Sequence, residues 1–260
     1  MPMKKAVFFD IDGTIWNEKM QIPKSTVTAI QALQEKGNFA FICSGRSRAN
    51  IYKELLECGF DGVVAACGAH VEFKNVVIYE QLMTAGEVEN ALSIIDKYNL
   101  SGIFSGPNYL YVNDKDFGDE LHETYLHREL GTAIKRITDI KCIEANKLSI
   151  DSKNAPIDRV AAEFEEFFDV IVHNGRFLEI MLKGHSKATG IAKICEQLGL
   201  SLKYTYAFGD SANDLEMLNF VAHGIAMGNG TVEAKQTAEY VTTHIMEDGI
   251  KNGLLHYGLI

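Results

Sequence analysis

The sequence predicts an α/β protein, with a parallel-sheet core interrupted by an inserted α+β unit. Three observations carry this reading. Short runs such as Ala6–Phe9 are apolar on both faces, as strands buried inside a parallel sheet are. Helical patterns alternate with such runs before Thr84 and again after Lys183. Between those residues the strict alternation gives way to several short strands and helices.

The elements follow in order. After the strand Ala6–Phe9, Lys24–Lys36 carries Val27, Ile30 and Leu33 at helical spacing and stops at Gly37. Phe39–Cys43 is a second apolar strand, ending at Ser44-Gly45-Arg46. Ser47–Cys58 reads as a helix and Gly62–Ala65 as a third strand. Val71–Phe73 and Val76–Tyr79 read as a hairpin around Lys74-Asn75. In the insert, Thr84 and Glu87 form a capping-box pattern that opens a helix to Tyr98. Strands near Gly102–Phe104 and Tyr109–Val112 follow, then a helix near Phe117–Leu130 and a strand at Lys147–Ile150. A helix at Ile157–Phe168 and strands near Val170–His173 and Phe177–Met181 complete the insert. Alternation resumes with a helix at Ser186–Leu198, a strand at Tyr204–Phe208, a helix at Asp214–Asn219 and a strand at His223–Ala226. Helices at Thr231–Thr237 and Glu247–Tyr257 close the chain. The expected division is 1–83 with 184–260 as one domain and 84–183 as the other.

Composition narrows the function. The 260 residues are 47% hydrophobic, enough for a real core. No apolar run approaches the ~18–20 residues that span a bilayer, and Asp10 and Asp12 interrupt the N-terminal apolar stretch too early for a signal peptide. The five cysteines form no CxxC pair, so reduced thiols in a cytoplasmic protein are expected. The histidines lack zinc-site spacing. A net charge of −10 without a basic block argues against nucleic acid as a partner.

Four motifs carry chemistry. Asp10 and Asp12 stand at i and i+2 where the first strand meets Gly13-Thr14, so both can reach one site. Two close carboxylates repel and need a cation or a shared proton. Alone, Asp-X-Asp-Gly is also an ordinary polar turn. Ser44 and Gly45 enter a helix N-terminus, which favours bound phosphate oxygens, or else merely caps the helix. Lys187 begins a helix, where its charge opposes the macrodipole; pairing with an anion would explain it, and a solvated lysine is the plain alternative. Asp210 and Asp214 lie four residues apart after the strand Tyr204–Phe208. Their hard oxygens, with no Cys or His beside them, suit Mg²⁺.

Together they read acid pair, hydroxyl, lysine, acid pair, each expected at the carboxyl end of a different parallel strand. This set resembles the haloacid dehalogenase superfamily of phosphotransferases. Asp10-X-Asp12-Gly13-Thr14 resembles its first motif, Ser44 its second, Lys187 its third and Gly209-Asp210-Ser211-X-Asn213-Asp214 its fourth. Ser44-Gly45-Arg46, Glu179-Ile180 ahead of Gly184-X-Ser186-Lys187, Ala226-Met227-Gly228-Asn229 and Glu247-Asp248-Gly249 resemble the Cof-type branch with a subclass IIB cap. Cys67, His185, Ala188-Thr189 and Trp16 depart from that pattern.

The resemblance implies a Rossmann-like core and a cap that selects substrate. It implies an Mg²⁺-dependent phosphatase of small phosphorylated metabolites, sugar phosphates above all, with a phosphomutase as the nearest rival. A phospho-accepting signalling module without turnover, which also uses a strand-end Asp and Mg²⁺, is the more distant alternative. Asp10 would be the nucleophile and Asp12 the general acid, its pKa raised by Asp10 and partial burial. Ser44 and Lys187 would hold the phosphoryl group. Asp10, the Asp12 backbone carbonyl and Asp210 would bind the metal, with Asp214 or Asn213 as a further ligand or support. Thr14, Gly45, Arg46, His185 and Asn213 are the expected substrate contacts, Arg46 and His185 from the core side. A monomer or weak homo-oligomer is expected.

Overall fold

A computed structural model describes residues 4–112 and 133–260; the helix expected near 117–130 lies outside them. The strands are β1 (Ala6–Phe9), β2 (Phe39–Cys43), β3 (Gly62–Ala65), β4 (His70–Phe73), β5 (Val76–Glu80), β6 (Ser101–Ser105) and β7 (Leu110–Val112). They continue with β8 (Ile134–Arg136), β9 (Lys147–Asp151), β10 (Phe168–His173), β11 (Phe177–Leu182), β12 (Thr205–Gly209), β13 (His223–Ala226) and β14 (Tyr240–Val241). The α-helices described are α1 (Lys24–Glu35), α2 (Lys53–Leu56), α3 (Ala85–Tyr98), α4 (Ile157–Glu165), α5 (Lys187–Leu198), α6 (Leu215–Phe220), α7 (Val232–Thr237) and α8 (Gly249–His256).

The chain forms two compact units. One holds residues up to Gly45, Lys53–Tyr79 and Ser186–Ile260; the other holds Arg46–Tyr52 and Glu80–His185. The division therefore differs from the expected 84–183 insert by a second, short segment. The reason is visible at Ala49, whose N–H donates to the Gly106 carbonyl at 3.2 Å and whose methyl packs against Ile103 and Leu110.

The first unit is built on an eight-stranded sheet of order β14-β13-β12-β1-β2-β3-β4-β5. The strands from β14 to β3 are parallel. β4 returns antiparallel to β3 and leads into β5. All four residues of β1 are fully buried, as its two-sided apolar sequence requires. Phe8 stacks on Phe41 and Phe9 on Phe208, at ring separations of 5.0 and 5.1 Å, so aromatic pairs tie β1 to both neighbours.

The second unit carries a six-stranded sheet of order β10-β11-β9-β6-β7-β8, antiparallel except for the β7–β8 pair. α3 and α4 pack on one another. The capping box at Thr84 and Glu87 forms as its sequence predicts.

Three local expectations are corrected. Ser47–Cys58 is not one helix. It is a 3₁₀ turn at Arg48–Asn50, an extended link at Ile51 and the single turn of α2; Ala49 is tied to Gly106, Ile103 and Leu110, and the backbone turns extended at Ile51 before α2. Asp214 closes a 3₁₀ turn before α6 rather than opening the helix. Lys187 does not follow a parallel strand. The strand before it, β11, belongs to the antiparallel sheet, and Lys187 is the first residue of α5. Ser186 caps α5 through a capping box with Thr189, which fixes Lys187 in the first turn.

Candidate active site

The parallel register gathers three motifs at one end of the first sheet. Asp10 follows β1, Ser44 follows β2 and Asp210 follows β12; Phe9 pairs with Ile42 on one side and Phe208 on the other. This is the carboxyl end of the strands, where open α/β sheets place their sites.

Asp10 is buried, and its N–H donates to the Phe208 carbonyl at 3.0 Å. Beyond it, the N–H groups of Thr14, Ile15 and Trp16 all converge on the Ile11 carbonyl, while the Gly13 N–H donates back to Trp16. The loop is thus a tight reversal around Asp12-Gly13. Trp16 is buried and anchors it. Asp12 is exposed, so the partial burial expected of it is not observed.

Gly13 adopts φ +79°, and a Cβ there would lie 2.3 Å from Asp210 Oδ2. Only glycine lets this loop approach the Asp210 carboxylate so closely. The Thr14 hydroxyl donates to Asp210 Oδ1 at 3.2 Å.

Lys187 is the centre of the cluster. Its Nζ donates to Asp10 Oδ1 at 2.6 Å, to Asp214 Oδ1 at 2.5 Å and to Asn213 Oδ1 at 3.3 Å. The lysine and both aspartates are buried. The other Asp214 oxygen accepts from the backbone N–H groups of Asp210 and Ser211, at 2.8 and 3.0 Å. Asp214 therefore holds the β12 turn closed and orients Lys187 at once.

The electrostatics follow from this geometry. Burial and the nearby Asp214 push the Asp10 carboxyl well up, against the opposing pull of Lys187; Asp12 and Asp210 add to the rise. Burial and Asp214 push Asp210 up to about 7, while Lys187 and the Thr14 hydroxyl oppose the shift. Burial disfavours the Lys187 ammonium, but Asp10 and Asp214 outweigh that and raise its pKa. Carboxylates outnumber the one ammonium, so the site has room for more positive charge. Carboxylate oxygens of Asp10, Asp210 and Asp214 lie within 4.8 Å of one another. This hard, all-oxygen donor set with surplus negative charge fits a divalent cation such as Mg²⁺.

The structure thus brings together Asp10, Thr14, Lys187, Asp210, Asn213 and Asp214, with Ser44 and Gly45 buried at the same sheet end. Arg46 and His185 group with the second unit rather than the core. Arg46 donates to the Asn50 carbonyl at 3.4 Å and lies over the Tyr52 ring; a His185 ring nitrogen lies 3.1 Å from the Lys183 carbonyl.

One residue with a structural part in the site was visible only as a signature. Asn229 donates to the Gly13 carbonyl at 2.7 Å and accepts from the Ile245 N–H at 2.9 Å. The same turn bonds the Asp210 carbonyl through the Thr231 N–H at 2.7 Å. The Met227-Gly228-Asn229 run marks it in the sequence, but its partner could not be read there.

The chain is similar to known proteins over its whole length. A family model described as haloacid dehalogenase-like hydrolase matches residues 7–254. YkrA of Bacillus subtilis, named as a candidate phosphatase, is 32% identical over 258 residues, covering 98% of each chain. The 5-amino-6-(5-phospho-D-ribitylamino)uracil phosphatase YitU of the same organism is 24% identical, covering 96% of each chain. Among solved structures, the HAD subclass IIB sugar phosphatase BT4131 is 30% identical with a TM-score of 0.84, covering 99% of this chain and 100% of its own. No helix among the described residues is long and apolar enough to cross a membrane.

Proposed function

Because this chain belongs to the haloacid dehalogenase-like hydrolases and is a phosphatase of small phosphorylated molecules, we propose that it hydrolyses sugar or polyol phosphates with Mg²⁺ through a phospho-Asp10 intermediate. The observation that carries this reading is the buried Lys187 ammonium bridging Asp10 and Asp214. It fixes one Asp10 oxygen and leaves attack to the other, Oδ2.

In the first step Asp10 Oδ2 bonds to phosphorus and the bond to the leaving oxygen breaks. Asp12 gives that oxygen a proton, releasing the alcohol. In the second step water attacks phosphorus, Asp12 takes its proton and the bond to Asp10 breaks, freeing phosphate. The exposed Asp12 can exchange protons with solvent between steps. Ser44, Lys187 and Asn213 hold the phosphoryl oxygens, and Thr14 keeps Asp210 in place. Asp10, the Asp12 backbone carbonyl and Asp210 would hold Mg²⁺, with Asp214 in support. The ion would supply charge neutralisation at Asp10 and the phosphate.

The second unit would select the leaving group. The names of the relatives support a polyhydroxylated one, sugar in BT4131 and ribityl in YitU. A reducing, cytoplasmic setting is supported by five free cysteines. The test is phosphate release from a panel of sugar and polyol phosphates with Mg²⁺, with excess chelator, and with the Asp10→Asn variant. Release should need Mg²⁺ and vanish in the variant. Isomerised sugar phosphate in place of free phosphate would make the protein a mutase, and full activity in chelator would remove the metal from the reading.

A further inference from the structure

Between β3 and β4 the backbone takes a path that the hairpin itself does not need. The two strands pair antiparallel, with Ala65 opposite His70, so Ala66–Ala69 make the connection. Loops of that length are most often built around a type I turn, whose central residues keep a negative φ. Here Ala66, Cys67 and Gly68 stand in succession at φ +47°, +50° and +86°. Glycine takes that conformation freely, but alanine and cysteine do so at a cost. All three residues are buried. Such backbone persists only where the surrounding contacts over-determine it.

Those contacts belong to two residues of the site. On one side the Cys67 N–H donates to the Ser44 carbonyl at 3.2 Å, and the Ser44 N–H donates to the Val64 carbonyl at 2.8 Å. Ser44 is thus held through both of its peptide groups by β3 and the turn that follows it. On the other side Gly68 faces the first turn of α5. A Cβ on Gly68 would lie 2.3 Å from the Ser186 carbonyl oxygen and 2.9 Å from the Gly190 nitrogen. Gly190 returns the fit, since a Cβ there would lie 2.3 Å from Val64 Cγ1 and 3.0 Å from the Gly68 Cα. Two glycines therefore let the turn and α5 meet backbone to backbone, beside Lys187. The Cys43 thiol, one residue before Ser44, lies 3.9 Å from the Lys187 carbonyl oxygen and closes the same contact.

The turn therefore touches the Ser44 main chain with one residue and the Lys187 helix with the next. A negative φ at Cys67 would redirect the chain on one side of that residue, so the turn could not keep both contacts. We propose that Cys67 and Gly68 are positioning residues for phosphoryl transfer, their left-handed turn setting the spacing between the Ser44 strand end and the Lys187 helix. The proposal rests on the reading above in which Ser44 and Lys187 hold the phosphoryl oxygens. Both residues act through their main chain, so the thiol is immaterial and the backbone conformation decisive.

The test uses the full chain with Mg²⁺ and compares Cys67→Gly, Cys67→Val and Gly68→Ala. Glycine keeps the left-handed conformation freely, whereas β-branched valine resists it. With p-nitrophenyl phosphate, well below each variant's thermal midpoint, kcat should stay within about threefold of wild type in Cys67→Gly. It should fall about 30-fold in Cys67→Val and in Gly68→Ala, as small misplacements of a positioned group do. The loss should lie in kcat rather than KM. In a Ser44→Ala background Cys67→Val should cost less than about fivefold further, because part of what it displaces is already gone. A turn that only stabilised the fold would lower the midpoints of Cys67→Val and Gly68→Ala and leave their kcat unchanged, and that result would overturn the proposal. So would a Cys67→Gly as impaired as Cys67→Val, which would place the role in the thiol. Should Cys67→Val fail to fold, Gly68→Ala decides in its place. Wild-type activity in Ser44→Ala alone would refute the parent reading of that residue, an outcome visible before any variant of the turn is made.

Discussion

Replacing Lys187 with methionine tests the electrostatic core of the site most directly. Methionine keeps the length and apolar volume of the side chain but removes the ammonium that contacts Asp10 at 2.6 Å and Asp214 at 2.5 Å. At an effective dielectric of ~20, each contact is worth ~6 kcal/mol of attraction. Most of that is offset by the cost of burying the charges. The net effect of breaking a buried pair by removing one partner is ~3–5 kcal/mol. At ~2–4 °C per kcal/mol for chains of this size, the midpoint for the first unit should fall by about 10 °C. The sign of the pH dependence follows from Asp10, whose carboxyl is already pushed up by burial and by Asp214. A carboxyl raised in the folded state contributes stability below its unfolded value of ~3.9 and loses it as pH rises through the folded value. Without Lys187 that rise is larger. The deficit of Lys187→Met against wild type should therefore be smallest near pH 5 and grow toward pH 8. Chemical denaturation followed by circular dichroism in chelator, at several pH values, measures it. A deficit below ~1 kcal/mol, or one that shrinks as pH rises, would refute the reasoning.

Further tests reach other parts of the structure. Gly13→Ala should cost ~1–2 kcal/mol for its left-handed backbone, and its Cβ, due 2.3 Å from Asp210 Oδ2, should displace that carboxylate. Titration calorimetry should show weakened Mg²⁺ binding, and unchanged affinity would clear Asp210 of a ligand role. Asp12→Asn should lose roughly 10²–10⁴-fold on a sugar phosphate and less on an aryl phosphate, whose leaving group needs no proton; equal losses would count against Asp12 as the acid. In the second unit, Arg176 holds buried Asp151 through two hydrogen bonds of 2.7 Å and keeps its pKa low. That contribution is present above pH ~3.9 and lost as pH falls through the lowered value. Asp151→Ala should destabilise by ~2–3 kcal/mol at neutral pH, and the gap to wild type should close on acidification; a gap that widens there would contradict the assignment.

The site was legible where the sequence repeats a strand-to-loop logic. Asp10, Ser44 and Asp210 each end an apolar run, and runs buried on both faces can only lie side by side in one sheet. Lys187 was legible as a residue but not as a position, since no strand of that sheet delivers it. Its place depends on the Ser186 cap and on α5 packing near β3 and β4. Asp12 is expected to be partly buried, yet it is exposed: β1 ends at Phe9 and the chain reverses around Gly13, so the same-face rule for i and i+2 along a strand no longer gives the two acids like surroundings. β8 and β14 escaped notice because strands of three and two residues leave no periodicity to read. Ser47–Cys58 reads as one helix and is not one for a deeper reason. The Ala49 N–H is taken by the Gly106 carbonyl more than fifty residues away, and local pattern carries no record of that partner.

The parallel pairing of β1 with β12 also sets a timetable. Ala6 lies beside Thr205, so the strand that carries Asp10 emerges from the ribosome long before its neighbour on that side exists. At ~5–20 residues per second, β1 is made ~10–40 s ahead of β12. During that interval β2 can cover one edge, while the other remains an unpaired, wholly apolar strand. Such an edge is what chaperones bind and what pairs wrongly with other chains. The acids of the fourth motif close the site only at the end of synthesis, so no partly made chain can run the reaction on stray phosphate esters. Ribosome-bound chains stopped after residue 183 should accordingly bind chaperone and show no phosphatase activity, and a stopped chain that is active would break this ordering.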